Sequence, residues 1–361
     1  MSIELLGNKR QLEAFLMENM GRYTDESCRV CLDLFSGSGS VSAAFKKRGY
    51  QVIANDFLAF AETLTKAVLL NDRAPAFAGI LPFCGEMREE SEAEPGAFSA
   101  YRKVLHYLNN LPPRKGFIHQ HYSPASEALC GVSRMYFTEE NAGKIDAIRM
   151  QIRDWSALLT ESESALLLSD LLKAVAAVSN IAGTYGCYMK YWKKKALQPV
   201  FLTESSFVAG NPKGGHRVFC RDANEIIGDF AVDLVYADPP YTKRQYSAYY
   251  HILETIALYD EPELTGKTGL RNWQEKSSDY CFRRKAPGAL EDLLDKARCR
   301  YFVLSYNDES QIPHSRVMEI LSRRGQVTVC ETPYKRYKSN VAENDRDGVI
   351  ERLYIVEMEK K

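Results

Sequence analysis

The chain has 361 residues, enough to bury a sizeable core in one large domain or two ordinary ones. Lys plus Arg and Asp plus Glu number 47 each, so the formal net charge is zero, and binding of nucleic acid by bulk positive charge is excluded. Any nucleic-acid surface must be a local patch, offset by acidic residues elsewhere.

With 45% hydrophobic and 26% charged residues, the composition is that of a soluble globular protein. The nine cysteines are scattered and odd in number, which is expected of reduced thiols in a cytoplasmic protein. Cys28 and Cys31 form a lone CxxC with no second pair at zinc-site spacing, so no metal is expected there. The first residues carry charges and no long apolar core, so a signal peptide is not expected. No run of about 18 apolar residues occurs, so no membrane span is expected either.

In chain order, residues 8–20 have helical periodicity, with Leu12, Phe15 and Leu16 on one face. RVCLDLF (29–35) is a short apolar strand that runs into SGSGS. VSAAFKKRGY then reads as a helix closed by Gly49, and YQVIANDF as a second strand. Strand, glycine-rich turn, helix and strand make a βαβ unit.

The alternation then stops. Residues 72–214 read as mostly helical, with an acidic stretch (Glu86 to Glu94), a Pro-Pro turn at 112–113, the segment FIHQHYSP and the apolar helix SALLLSDLLKAVAAVSNIAG. A structureless loop of that length inside a compact domain is implausible, so the region is expected to carry its own core. After the turn NPKGGH the αβ pattern resumes in HRVFCRDANEII, VDLVYADPPY, the helical SAYYHILETIALYD, the strand RYFVLSYN, the helix HSRVMEILSRRG and the strands QVTVCETPY and ERLYIVEM. No internal repeat is present. The expected division is a sheet domain of residues 1–71 and 215–361 with an inserted, mostly helical domain of residues 72–214.

Three motifs carry chemistry. DLFSGSGS (33–40) is a glycine-rich turn between strand and helix, which lets the backbone approach a ligand and presents helix N–H groups. It fails as a dinucleotide fingerprint because the third glycine position is Ser42. Asp56 ends the second strand, where an acid either accepts hydrogen bonds from ribose hydroxyls or serves as a turn or helix-cap residue. VDLVYADPPY runs an apolar strand into Asp238-Pro239-Pro240-Tyr241. Two prolines make a stiff turn without N–H donors but with free carbonyls. A carboxylate beside a fixed carbonyl offers two acceptors to an amino group with two N–H bonds, such as adenine N6. Tyr241 is placed to stack on a planar ring. All three motifs fall at the carboxyl ends of strands, where open α/β sheets bind ligands.

Together with LLGNKRQL, FCRDA, RQYSAYYHILETIALYD, LSYND and YKRYKS, this constellation resembles the D12 class of adenine-N6 DNA methyltransferases, the Dam-like group. Most of residues 72–214 lie outside the resemblance. It implies a Rossmann-like S-adenosylmethionine-dependent methyltransferase sheet with an inserted target-recognition domain. It implies that Gly7 and Lys9 help hold the methionine end of the cofactor, that Asp33 takes its amino group, and that Phe35, Ser36, Gly37 and Gly39 line its pocket. Asp56 would take the ribose hydroxyls and Asp222 the adenine amino group. Asp238, Pro239, Pro240 and Tyr241 would form the pocket of a flipped-out adenine. Leu5 departs from the aromatic residue that family members often carry two positions before the glycine of the first motif.

Double-stranded DNA is the expected partner, with a cognate restriction endonuclease as a second. Arg244 and Tyr246, just after the tetrapeptide, are candidate DNA contacts, as are Lys335, Arg336 and Lys338. The runs YMKYWKKK (188–195) and RRK (283–285) are also basic, although such runs are more often solvated faces. His119 and His121 have no nearby cysteine at ligand spacing, so no metal is expected there, and His251 in the following helix is expected to be packed or exposed rather than catalytic. Three competing functions remain at this level: the same chemistry on RNA, methylation of a glutamine amide, and an inactive DNA-reading subunit. Enzymes of the second kind typically carry Asn where this chain has Asp238, and the third is usually marked by loss of the Asp or of the glycine-rich turn.

Overall fold

The computed structural model describes residues 9–85, 97–210, 214–334 and 349–359. These residues fall into two compact units. One holds the described parts of Leu5–Thr65, Gly210–Ser247 and Lys276–Lys361; the other holds those of Lys66–Ala209 and Ala248–Glu275.

The first unit is built on a seven-stranded sheet. Its strands are β1 (Val30–Asp33), β2 (Gln51–Asp56), β3 (Arg217–Cys220), β4 (Ala231–Ala237), β5 (Arg298–Asn307), β6 (Gly325–Tyr334) and β7 (Val349–Met358). They lie in the order β3-β2-β1-β4-β5-β7-β6. The first five are parallel, and β7 runs antiparallel between β5 and β6. This is a Rossmann-like α/β sheet with an antiparallel strand near one edge. Its order reverses between β1 and β4, the switch point where doubly wound sheets open a crevice at their carboxyl edge.

The short central strands are apolar because both faces are covered: Cys31, Leu32, Val52, Ile53, Leu234, Val235, Phe302 and Leu304 are buried. On one side, the helix Ala286–Lys296 sinks Leu290, Leu293 and Leu294, spaced along one stripe, into the core that holds Phe302 and Leu304. The N-terminal periodicity resolves into a short 3-10 turn, Lys9–Leu12, followed by helix α1 (Glu13–Tyr23). Leu12, Leu16, Met17 and Met20 form its buried stripe. Helix α2 (Ser40–Lys47) follows β1, and helix α3 (Ala59–Leu69) follows β2.

The second unit is helical, as the composition of residues 72–214 suggests. Its longest helix, Glu161–Val178, opens with a capping box in which Thr160 and Glu163 satisfy each other's backbone N–H groups. Asp146, in the helix Glu139–Asp154, is buried; its carboxylate accepts from the backbone N–H groups of Gly116, Ile118 and His119 and from the Tyr259 hydroxyl. His251 is buried with Nε2 3.0 Å from the Tyr185 carbonyl oxygen, and burial holds its pKa down at about 4. The segment SAYYHILETIALYD forms two helices, Tyr246–Tyr249 and His251–Leu258. From Ala248 onward it groups with this helical unit, whereas the sequence division kept it with the sheet. Its apolar stripe matches a helical neighbour as well as it matches a sheet, so periodicity does not choose between them. The acidic stretch Glu86 to Glu94 lies outside the described residues.

Candidate active site

Two turns at the carboxyl edge of adjacent strands make up the site. β1 pairs with β4 with Asp33 opposite Tyr236, so the glycine-rich turn after Asp33 and the proline turn after Ala237 emerge side by side.

Asp33 is fully buried. Its Oδ2 accepts a 2.6 Å hydrogen bond from Ser42 Oγ, in the first turn of α2. Its Oδ1 is also buried and has no hydrogen-bond partner among the described residues. Burial pushes the Asp33 pKa up to about 7; Ser42 opposes this, and the Asp238 and Asp56 charges add to it. The turn itself needs glycine. Gly37 and Gly39 have φ of 53° and 76°, in the left-handed region. A Cβ on Gly39 would lie 3.2 Å from the Thr65 Cα, so the turn is pressed against α3. Thr65 Oγ1 donates to Ser36 Oγ at 3.0 Å. Asp56 ties the turn to β2: Oδ2 accepts from Gly37 N at 2.8 Å and Oδ1 from Leu58 N at 3.0 Å. Asn55 joins the strand ends through the Leu34 and Arg221 carbonyls.

At the second turn, Asp238 keeps 15% of its side chain accessible, while Lys9 and Glu351 keep 3% and 4%. The Lys9 ammonium donates to Glu351 Oε2 at 3.1 Å. It lies 3.3 Å from Asp238 Oδ1, within ion-pair distance but off the hydrogen-bond direction. Burial alone would lower the Lys9 pKa; the two carboxylates outweigh it and raise the value. Burial raises the Asp238 carboxyl well above the usual range, Lys9 opposing and Glu351 adding. Asn307 Nδ2 reaches Glu351 Oε1 at 3.4 Å from the directly opposite position on β5. Lys9 Nζ also sits 5.1 Å from the Tyr241 ring centroid, and Tyr241 meets Tyr306 edge-on at 6.3 Å. The Tyr241 carbonyl accepts from Gln311 N at 3.1 Å.

Asp33, Ser36, Gly37, Gly39 and Asp56 are therefore joined in one turn, and Asp238 and Tyr241 stand beside it. Lys9 stands beside Asp238 and Glu351. Phe35 packs edge-on against Tyr280 at 5.6 Å. Asp222 caps the helix Ala223–Ile226, one oxygen accepting from Asn224 N at 2.8 Å. Gly7, Lys335, Arg336 and Lys338 lie outside the described residues. Arg244 is exposed, and Tyr246 opens a short helix. A cavity of about 780 Å³ adjoins the proline turn, lined in part by Lys243, Arg283, Arg284, Lys285, Ser310 and Gln311. Lys285 is paired with Asp279 at 2.8 Å, whereas Lys243, Arg283 and Arg284 have no carboxylate partner among the described residues. Cys28 and Cys31 are buried free thiols.

Sequence reasoning gave no role to Ser42, Asn307 or Glu351, although Asn307 lies in the quoted segment LSYND. Ser42 was visible only as the residue that spoils the dinucleotide fingerprint, and nothing local marks Glu351.

A family model for D12 class N6 adenine-specific DNA methyltransferases matches residues 6–320. Type II methyltransferase M.FokI of Planomicrobium okeanokoites is 38% identical over 345 residues, which are 93% of this chain and 50% of that protein. Type II methyltransferase M.NlaIII of Neisseria lactamica is 35% identical over 359 residues, 98% of each chain. Modification methylase StsI of Streptococcus sanguinis is 34% identical over 361 residues, 98% of this chain and 51% of that one. The chain thus spans about half the length of M.FokI and StsI and nearly the whole of M.NlaIII.

Proposed function

The chain belongs to the D12 class of N6 adenine-specific DNA methyltransferases, and from that premise we propose that it transfers a methyl group from S-adenosylmethionine to N6 of an adenine flipped out of duplex DNA. The observation that carries this reading is the pairing of β1 with β4, which sets the Asp33 turn and the Asp238 turn next to each other. A cofactor end and a base end then lie side by side, and positioning two reactants is a large contribution to such a transfer.

The cofactor end fits. Among the described residues Asp33 Oδ1 is a buried acceptor without a donor, which suits the ammonium of an amino acid. Gly39 lets the turn pack against α3, where a Cβ would lie 3.2 Å from the Thr65 Cα. Asp56 holds Gly37 N and Leu58 N at the end of β2, the place where an acid accepts from ribose hydroxyls. When bound, S-adenosylmethionine supplies a methyl group activated by its sulfonium.

At the base end, Asp238 and the Pro239 carbonyl accept the two N6 hydrogens and draw N6 toward a pyramidal geometry. Pro240 stiffens the turn, and Tyr241 gives the flipped base a ring to stack on, offsetting an extrusion cost of a few kcal/mol. The carboxylate of Asp238 takes the proton that N6 must lose. Lys243, Arg283 and Arg284 hold phosphates of the strand that enters the site, with Arg244 and Tyr246 beside them. The helical unit reads the target sequence. The relatives are named type II methyltransferases and a modification methylase, and we extend to this chain the pairing with a restriction endonuclease that such names imply.

The test is transfer of tritium from labelled S-adenosylmethionine to unmethylated genomic DNA by the wild type and by Asp238→Ala. Label recovered as N6-methyladenine with the wild type alone supports the reading. Label in RNA or protein, and none in DNA, overturns it.

A further inference from the structure

Glu351 belongs to none of the motifs above, yet it is the nearest hydrogen-bonded partner of the Lys9 ammonium. It sits on β7 directly opposite Asn307 of β5, and Asn307 is itself anchored by Ser310 Oγ at 3.0 Å and Glu309 N at 3.1 Å. Resting on the reading of the site as a methyl-transfer centre, we infer that Glu351 is a positioning residue for the reaction: it draws Lys9 off the hydrogen-bond axis of Asp238 and supplies the second negative charge of the pocket.

Two consequences of this geometry matter chemically. A buried ammonium with one carboxylate available forms a direct, aligned ion pair, and that carboxylate loses acceptor capacity. Here the aligned bond goes to Glu351 at 3.1 Å and Asp238 is left at 3.3 Å, off-axis. Asp238 thereby keeps lone pairs for an amino group. Charge is the second consequence. One cation and two carboxylates leave the cluster with a net charge of −1 when Asp238 is ionised. As the N6 lone pair forms the new N–C bond, the S–C bond breaks with its electron pair staying on sulfur, and the positive charge passes to N6. The surplus N6 proton then goes to the Asp238 carboxylate. A fixed negative charge beside this centre stabilises the transition state more than the ground state of neutral adenine.

A purely structural role, neutralising a buried lysine, is the competing explanation, and the two differ in what they move. The groups that face Asp238 are Lys9 from the N-terminal turn, Glu351 from β7, Asp33 from β1 and Tyr236 from β4. Glu351 raises the Asp238 pKa, so Glu351→Gln should shift the acid limb of kcat toward lower pH. The same variant should lower the pH-independent kcat by about 10- to 100-fold, with KM for DNA and for S-adenosylmethionine within about twofold. Glu351→Asp retains the charge and should keep the wild-type acid limb while recovering part of the rate.

The experiment measures kcat, KM and the pH profile of both variants on DNA, with binding of labelled S-adenosylmethionine as the count of folded protein. Wild-type kcat and acid limb in Glu351→Gln overturn the proposal. So does a rate loss that merely tracks lost cofactor binding in either variant, because that marks a role in folding alone. A wild-type protein that methylates no DNA is a different outcome: it removes the functional reading itself.

Discussion

Ser42 Oγ donates to Asp33 Oδ2 at 2.6 Å, while Oδ1 of the same buried carboxylate has no hydrogen-bond partner among the described residues. Ser42 thus helps to orient this buried acid. The Asp33 pKa stands at about 7, chiefly because of burial, so at neutral pH this acid is only partly ionised. A ligand ammonium needs the ionised form. S-adenosylmethionine affinity should therefore rise with pH up to about 7 and level off above it, by up to about tenfold per pH unit, because each binding event releases one proton.

Stability runs the other way. A carboxyl whose pKa is raised on folding stabilises the fold below its unfolded value, near 3.8, and this contribution is lost as pH rises through about 7. The upward shift in Tm on adding S-adenosylmethionine should consequently be larger at pH 8 than at pH 6. In Ser42→Ala the opposing hydrogen bond is gone, and the rise in affinity should move to higher pH. Calorimetric titration across pH checks both, and a flat affinity profile would count against the assigned role of Asp33.

The cations Lys243, Arg283 and Arg284 line a cavity beside the proline turn with no carboxylate partners among the described residues. Cations that neutralise phosphates make affinity fall with salt, by about 0.9 in log–log slope per phosphate. A double variant, Arg283→Ala with Arg284→Ala, should flatten the salt dependence of DNA binding by about 2 in slope, across target and non-target sequences alike. Binding of S-adenosylmethionine should not change. An unaltered slope would mean that the DNA runs elsewhere.

In the helical unit, Asp146 satisfies the N–H groups of Gly116, Ile118 and His119 at 3.0, 3.0 and 2.8 Å and holds the Tyr259 hydroxyl at 2.7 Å. It works as a buried cap for the helix Phe117–Tyr122. Asp146→Ala strips the acceptor from several buried donors at once, each worth about 1–3 kcal/mol when left unsatisfied. The expected loss is about 3–5 kcal/mol, read from the denaturant midpoint. An undiminished midpoint would show that water replaces the carboxylate.

What was legible in the sequence was local. The turn DLFSGSGS, the aspartate ending β2 and the tetrapeptide Asp238–Tyr241 are each a few consecutive residues whose backbone demands are written in glycine, proline and strand-forming side chains. Their order along the chain sufficed to suggest the sheet, because parallel strands need crossovers and ligands bind at carboxyl edges. Even the choice between cofactor ligand and turn residue for Asp56 had no local answer: in the fold its two oxygens hold Gly37 N and Leu58 N, which ties the glycine-rich turn to the end of β2.

The sequence by itself therefore determined the strand–turn–helix units, the glycines whose positive φ the turn requires, and the acids at the strand ends. Tertiary structure alone decided which charges meet. Lys9 and Glu351 are 342 residues apart, and their 3.1 Å hydrogen bond exists because β7 inserts antiparallel beside β5 and brings the last described strand up to the N-terminal turn. The physical reason is range. Backbone preference acts over a few residues and leaves a mark in each of them, whereas an ion pair between distant segments is set by strand order and register, which no stretch of either segment encodes.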